Sequence, residues 1–311
     1  MEDFPFAPLT PAYVRVPLDR TRLRLDDPDA VSAAAARPDR RAIPFWRDRC
    51  VLERNSSHTV LERSGDAATR MTAAATQLVL LGLDGRDRPV FAADLSARSE
   101  EEVLDLTEGG ATAPVRALFS GLTAEDASLL AGAQGLLSWN RRHGFCASCG
   151  SATASRHGGH QRECTAEDCG ATHFPRIEPA VIVLVEAPGP VARCLLARHH
   201  GAPEQAYSLL AGFTETGEGL EGTAVREVRE EAGVELASLS YRGSQGWPFP
   251  AGLMVGFRAR ARTADIRVDG RELVEARWFT RDDVRALVAS GHGLGPPDSL
   301  GHLLLRAWLD E

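Results

Sequence analysis

The stretch GFTETGEGLEGTAVREVREEAGV, residues 212–234, decides how the rest of this chain is interpreted. Its first half is rich in Gly and Thr, a composition typical of a loop. Its second half repeats an apolar residue every four positions, and this period predicts a helix with one buried face. The apolar residues are Leu220, Ala224, Val228 and Ala232. Gly233 follows where a helix C-terminus favours a left-handed residue, so we predict a loop followed by an amphipathic helix.

Three glutamates crowd one edge of this helix, because Glu227, Glu230 and Glu231 stand at positions i, i+3 and i+4. Like charges at these spacings destabilise a helix by about 0.2–0.5 kcal/mol per pair, and a bound cation would reverse that effect. Carboxylate oxygens are the ligands that Mg²⁺ and Mn²⁺ prefer. A solvated acidic helix face is the alternative. Against it, Glu218, Arg226 and the loop glycines fall in one fixed frame with the glutamates.

The composition of the 311-residue chain is that of an ordinary globular protein, with 43% hydrophobic and 25% charged residues. The net charge of −8 argues against a general polyanion binder. The sequence contains no apolar run long enough for a transmembrane helix. The acidic, Pro-rich start lacks the apolar segment of a signal peptide. We therefore expect a cytoplasmic enzyme.

Residues 141–175 contain two pairs of cysteines that predict a structural zinc site. The four thiols are Cys146, Cys149, Cys164 and Cys169. A two-residue gap in the first pair allows both thiolates to bind one ion, and the longer loop brings the second pair round to complete a tetrahedron. Two disulfides or free thiols are the alternatives, and a reducing cytosol disfavours disulfides. Cys50 and Cys194 have no partner in sequence and are expected to be ordinary buried thiols.

Strand and helix patterns divide the chain into three predicted parts: residues 1–140, 141–175 and 176–311. The first part has short apolar runs and a helix beginning after Thr123, so we expect an α+β domain with no catalytic residues. In the last part, residues 180–186 and 193–198 are predicted strands before the acidic helix, and residues 276–279 are a strand after it. This order predicts a mixed sheet with the helix packed on it.

The fixed frame of residues 212–234 resembles the Nudix box, and every fixed position is matched. The cysteine module, FPRIEP at residues 174–179 and SQGWPFP at residues 244–250 make the chain similar to the NADH pyrophosphatase family. The resemblance implies an α/β/α Nudix sandwich, preceded by a zinc ribbon and the N-terminal domain. It also implies metal-dependent hydrolysis of the pyrophosphate of NAD(H) to NMN(H) and AMP, and possible removal of NAD caps from RNA. Gly246 stands where the family has Pro, and Gly252 stands where the family usually has Ser.

The resemblance also assigns roles to residues of the box. Glu227, Glu231, Glu272 and the carbonyl of Ala211 would hold Mg²⁺ or Mn²⁺, with Glu275 as the competing choice for Glu272. Glu230 would orient or deprotonate the attacking water. Glu218 and Arg226 would support these carboxylates.

Substrate contacts are implied in the same way. Phe174 and Phe213 would stack on the nicotinamide or a base, and the backbone at Gly301 would contact the substrate. The loop after the box would shape the pocket; it comprises Gln245, Gly246, Trp247, Pro248, Phe249, Pro250, Ala251 and Gly252. A core-packing loop is the alternative for this segment.

Two functions other than NAD(H) hydrolysis are alternatives for this sequence. The two glycine departures favour a broader Nudix hydrolase that acts on ADP-ribose or other dinucleotides. A zinc-ribbon RNA-binding protein with an inert Nudix fold is the alternative of another class, and the intact box and the net acidity argue against it. The family resemblance further implies a homodimer.

Overall fold

A computed structural model describes residues 9, 17–118, 121–268, 270–292 and 295–311. The described chain divides into two compact units. One unit contains Ile177–Trp247 and Gly252–Glu311. The other contains residues 17 to 176 together with Pro248–Ala251.

The unit formed by the earlier part of the chain is built on a mixed six-stranded sheet. Its strands are β1 (Arg41–Trp46), β2 (Arg49–Leu52), β3 (Arg63–Ser64), β4 (Gln77–Leu83), β5 (Pro89–Asp94) and β6 (Ala111–Pro114). The spatial order is β4-β5-β1-β2-β6, with β3 also paired to β1. The β1–β5 pair is parallel and the other pairs are antiparallel.

The same unit contains the helices α1 (Pro28–Ala36), α2 (Gly65–Ala74), α3 (Glu100–Thr107), α4 (Val115–Leu118) and α5 (Ala124–Arg142). Helices α2 to α5 pack on the sheet. Met71 of α2 and Val103 of α3 are fully buried against Ala42 and Val51 of the sheet. The predicted start of α5 is confirmed, since the Thr123 hydroxyl accepts a hydrogen bond from the Asp126 amide, as an N-cap does.

A small three-stranded antiparallel sheet follows α5 within the same unit. Its strands are β7 (Thr153–Arg156), β8 (Gln161–Cys164) and β9 (Thr172–His173). Arg162 of β8 is only 4% exposed, and it donates to Thr153 Oγ1 at 2.7 Å and to Asn140 Oδ1 at 3.2 Å. Because Asn140 lies in α5, these bonds fix the cysteine module on the end of that helix.

The later unit contains a second mixed six-stranded sheet. Its strands are β10 (Glu178–Glu186), β11 (Arg193–His199), β12 (Leu210–Phe213), β13 (Leu236–Trp247), β14 (Gly252–Ala261) and β15 (Leu273–Thr280). Its helices are α6 (Leu220–Ala232), α7 (Arg281–Ala289) and α8 (Leu300–Leu309). The order is β13-β14-β10-β11-β15, with β12 paired to β10. β10 and β14 run parallel from Glu178↔Gly252 to Glu186↔Arg260.

Side chains alternate along β10, so the sheet has a buried core on each face. Val181 and Val183 pack in one core with Val228 of α6. Leu184 packs in the other core with Leu304 of α8. The result is the predicted α/β/α sandwich, and the predicted strand at residues 276–279 lies within β15, at one edge of the sheet.

The two sheets have the same topology, a repeat that was not predicted from the sequence. Strands β1 to β6 occupy the same places, in the same order, as β10 to β15. The helix after the third strand also matches, because α2 packs on β1 and β3 while α6 packs on β10 and β12. The α2 sequence, GDAATRMTAA, has Asp66 as its one acidic residue. The earlier unit is therefore a second copy of the fold without the acidic helix edge.

Candidate active site and zinc site

Helix α6 buries the face that the sequence predicted. Ala224, Val228 and Ala232 are fully buried in the core of the later unit. The helix ends at Gly233, which adopts a left-handed conformation with φ of 67°. Burial of this face leaves the glutamate edge at the boundary between the helix and strand β12.

Arg226 uses all five of its N–H groups to organise that edge. Nε and Nη2 both donate to the Glu218 carboxylate, at 2.7 and 2.9 Å. Nη1 donates to Glu227 at 2.9 Å and to Glu230 at 3.1 Å. Nη2 also donates to the carbonyl of Phe213 at 2.9 Å. The guanidinium lowers the pKa of Glu218 to about 2, so this carboxylate stays charged and holds the arginine.

Glu227 lies directly against the backbone of β12. A Cβ atom on Gly212 would come within 2.0 Å of the Glu227 carboxyl carbon, so only glycine leaves room for this carboxylate. Burial raises the pKa of Glu227, and the charges of Glu230 and Glu272 raise it further, while Arg226 opposes them. A crowded, partly buried carboxylate of this kind is stabilised by a cation.

A cavity of about 950 Å³ opens beside this edge. The described lining residues are Ala180, Ala211, Gly212, Phe213, Glu215, Arg226, Glu227, Glu230, Glu231, Met254, Arg271 and Glu272. Five of them are acidic, and oxygen-rich sites of this kind fit a divalent cation such as Mg²⁺ or Mn²⁺. Glu272 lines this cavity. Glu275 instead accepts a hydrogen bond from the Tyr207 hydroxyl at 2.8 Å and pairs with Arg277 at 2.9 Å.

Gln245 lies close to this region but is almost entirely buried, at 1% exposure. Its Nε2 donates to the carbonyl of Asp298 at 2.7 Å, and its Oε1 accepts from the amide of Leu300 at 2.8 Å. The Gln245 amide thus holds the start of helix α8. Gly301 packs closely on β10, since a Cβ there would lie 2.9 Å from Ile182 Cδ1.

A second, smaller pocket of about 210 Å³ lies in the same unit. Trp247, Gly301 and Leu305 are among its lining residues, and Met254 lines both this pocket and the acidic cavity. Gly252 is closely packed, because a Cβ there would lie 3.1 Å from the Trp247 carbonyl oxygen. The smaller pocket offers apolar surface next to the carboxylates.

The rest of the predicted substrate loop belongs to the earlier unit. Pro248–Ala251 group with that unit, where the Arg116 guanidinium lies 5.6 Å from the centre of the Phe249 ring. Phe174, also in that unit, is 58% exposed. Phe213, in the later unit, is 64% exposed and lines the acidic cavity. Gly246 pairs with Leu253 between β13 and β14.

Several lining residues were not assigned roles from the sequence, and those with functional side chains include Glu215, Met254 and Arg271. Glu215 lies inside the box, but at a variable position. Arg271 directly precedes Glu272, and this adjacency was the signal that could have identified it.

The four predicted zinc ligands converge at one end of the cysteine module, Cys164 from strand β8 and the other three from loops, with their sulfur atoms all within 4.8 Å of one another. Cys146 Sγ lies 3.9 Å from Cys169 Sγ, and Cys149 Sγ lies 3.4 Å from Cys164 Sγ. A tetrahedral ion with Zn–S bonds of about 2.3 Å separates its sulfurs by about 3.8 Å. The four thiols are therefore arranged as a closed zinc site.

The environment of Cys146 favours the deprotonated form of its thiol. Burial would raise the pKa of Cys146, but backbone N–H groups of Ser148 and Cys149 and the His173 ring lower it to about 5. The His173 Nε2 lies 3.3 Å from Cys146 Sγ. Since the thiolate is the metal-binding form, this environment favours zinc.

Three known family models match successive parts of the chain. Residues 39–139 match an NADH pyrophosphatase-like rudimentary NUDIX domain, residues 141–174 an NADH pyrophosphatase zinc ribbon domain, and residues 176–294 a NUDIX domain. The rudimentary domain accounts for the repeated sheet topology described above.

Similarity to whole proteins identifies the family. The chain is 36% identical over 256 residues to human mitochondrial NAD(P)H pyrophosphatase NUDT13, covering 75% of this chain and 71% of that protein. The chain belongs to the NADH pyrophosphatase family of Nudix hydrolases. Another member of this family, NAD-capped RNA hydrolase NudC of Pseudomonas aeruginosa, is 38% identical over 201 residues, which cover 65% of this chain and 68% of NudC.

Human NAD-capped RNA hydrolase NUDT12 is 37% identical over 206 residues, covering 63% of this chain. The match spans only 44% of the length of NUDT12. Among the helices that the structure describes, none combines the length and the apolar character needed to cross a membrane.

Replacing Cys149 by Ser removes one of the four thiolates. We predict that the zinc content falls from about one ion per chain to well below half, and that the unfolding temperature falls with it, because metal binding and folding are coupled in such modules. Elemental analysis and thermal unfolding measure both quantities. The matched control is Cys194→Ala, which alters a fully buried thiol away from the ribbon and should retain zinc. Full zinc content in the Cys149 variant would contradict the site.

Proposed function

We propose that this Nudix hydrolase cleaves the pyrophosphate bond of NAD(H), giving NMN(H) and AMP, with Mg²⁺ or Mn²⁺ as the catalytic metal. The observation that carries the proposal is the set of carboxylates around one cavity, with Glu227 held against the backbone of Gly212. The names of the relatives NUDT13 and NudC support NAD-containing substrates.

Glu227, Glu231 and Glu272, with the Ala211 carbonyl, are the proposed metal ligands. When bound, a divalent cation would neutralise diphosphate charge and lower the pKa of a bound water. The burial of Glu231, at 4% exposure, and the close packing of Glu227 fix these donors before metal arrives. Such pre-organisation is what a metal site requires of its protein.

Glu230 is the proposed base that orients or deprotonates the attacking water. Its side chain is 61% exposed, so it can reach a water in the cavity, while Arg226 restrains one of its oxygens. Arg226 and Glu218 act indirectly, by holding the glutamate edge in register with Phe213 of β12.

The proposed substrates extend to RNA carrying a 5′ NAD cap, supported by the names of NudC and NUDT12. Within the chain, residues 1–140, 141–175 and 176–311 are the proposed functional divisions, with hydrolysis confined to the last. Four cysteines that bind zinc as thiolates suit a reducing compartment, so we place the enzyme in the cytoplasm.

The homodimer implied by the family resemblance is also a proposal. A purified protein should have a mass near 67 kDa, about twice the 33.5 kDa of one chain. Sedimentation equilibrium measures this, and a single species at the monomer mass at micromolar concentration would contradict it.

Replacing Glu230 by Gln removes the proposed base while keeping nearly the same shape. We predict that turnover of NADH falls by at least about 100-fold, the scale of general base catalysis. The unfolding temperature should be unchanged or slightly higher, because one charge leaves a crowded edge. Glu221→Gln, on the exposed first turn of the same helix, is the control and should retain activity. Near-normal rates with Mn²⁺ in the Glu230 variant would reject this assignment.

Substrate choice tests the proposed ring contact of Phe213. NADH offers a nicotinamide ring that ADP-ribose lacks, and stacking on a base contributes about 1–3 kcal/mol. Phe213→Ala should therefore lower kcat/KM for NADH about 5- to 150-fold and affect ADP-ribose far less. Tyr241→Ala, which removes a half-exposed ring that does not line the cavity, is the control.

The same comparison with Phe174→Ala tests the second predicted ring. Equal losses on both substrates would indicate that a ring acts through packing. Equal wild-type rates would favour the broader dinucleotide hydrolase.

A further inference from the structure

The acidic cavity of the later unit contains an arginine whose role is not explained by the glutamate edge. Arg271 lines the cavity and its side chain is exposed. Within the described part of the chain, it makes no hydrogen bond or ion pair. An arginine beside five acidic residues normally pairs with one of them, so a guanidinium that stays available there is informative.

Arg226, the other described cation of the cavity, cannot take the same role. Its five N–H groups are committed to Glu218, Glu227, Glu230 and the Phe213 carbonyl. An anion that enters the cavity therefore finds one guanidinium with free donors, and that guanidinium belongs to Arg271. The neighbouring residue in sequence, Glu272, lines the same cavity, so the free donors lie on the segment that also supplies a proposed metal ligand.

We propose that Arg271 donates N–H groups to the non-bridging oxygens of the diphosphate and so positions it for cleavage. The inference rests on the proposed function, because it concerns the same cavity. A diphosphate diester carries two negative charges into a cavity lined by carboxylates, and a metal ion held by Glu227, Glu231 and Glu272 would balance part of that charge. A planar guanidinium binds phosphate oxygens through two parallel hydrogen bonds. Arg271 is thus a specificity residue for the diphosphate, which all candidate dinucleotides share.

The first test is kinetic. Arg271→Gln should lower kcat/KM by about 10- to 100-fold, the scale of hydrogen bonds to charged groups. The loss should be the same for NADH and for ADP-ribose, since both contain the diphosphate. Arg271→Lys should recover part of it, because lysine keeps the charge but not the paired donors. Arg267→Gln, an exposed arginine of the same segment that does not line the cavity, should leave kcat/KM unchanged.

The second test separates phosphate binding from an indirect effect through Glu272. Binding of Mn²⁺ to the protein without substrate, measured by electron paramagnetic resonance, should be as tight in Arg271→Gln as in the wild type. Binding of α,β-methylene adenosine diphosphate, whose bridging carbon cannot be hydrolysed, should weaken at least tenfold in calorimetry with Mn²⁺ present.

Three results would overturn the inference: unchanged kinetics and analogue binding, loss of Mn²⁺ binding, or a loss of kcat/KM with only one of the two substrates NADH and ADP-ribose. Failure of the proposed function is a different result. It would be seen as wild-type protein that does not hydrolyse NADH, and the analogue binding would still decide the role of Arg271.

Discussion

The contacts of one guanidinium determine the geometry of this site. Arg226 connects the box loop through Glu218, strand β12 through the Phe213 carbonyl, and the helix edge through Glu227 and Glu230. Without that charge, the carboxylates would repel one another across a single helix turn. A lysine offers a point charge with three donors and could not span these partners. The positions of Glu218, Glu227 and Glu230 relative to Arg226 thus match the reach of its planar guanidinium, which has five N–H donors.

Much of the later unit could be predicted from local pattern. Helix α6 follows from a four-residue apolar period and a terminal glycine, and the central strand from a β-branched run. The repeated fold of the earlier unit could not, because helix α2 has none of the box residues that mark its counterpart. Within the single chain, its similarity to the later unit lies in the pairing order of strands far apart in sequence, which side-chain periodicity does not specify.

The candidate site was likewise predictable from the sequence only in part. Spacing on α6 was sufficient to place Glu227, Glu230 and Glu231 on one edge. Glu272 and Glu275 could not be distinguished from spacing, because the hydrogen bonds of Glu275 to Tyr207 depend on how the edge strand β15 is packed. Gln245 was expected at the substrate. It lines the smaller pocket, and its amide is also bonded to the main chain at Asp298 and Leu300, two contacts that spacing in the sequence does not reveal.

The central strand β10 also sets the order in which the site can be assembled. One edge of β10 pairs with β14 in parallel from end to end, while its other edge pairs with β11 and with β12. The β12 pairing and helix α6 close short loops, whereas the β14 ladder joins residues that α6 and β13 separate. Long closures of this kind are slow and cooperative. A nascent chain that has not yet reached Gly252 therefore carries the whole box and the strands on which helix α6 packs, but it lacks β14 and the cavity residue Glu272, so the site is completed only when the later strands pair.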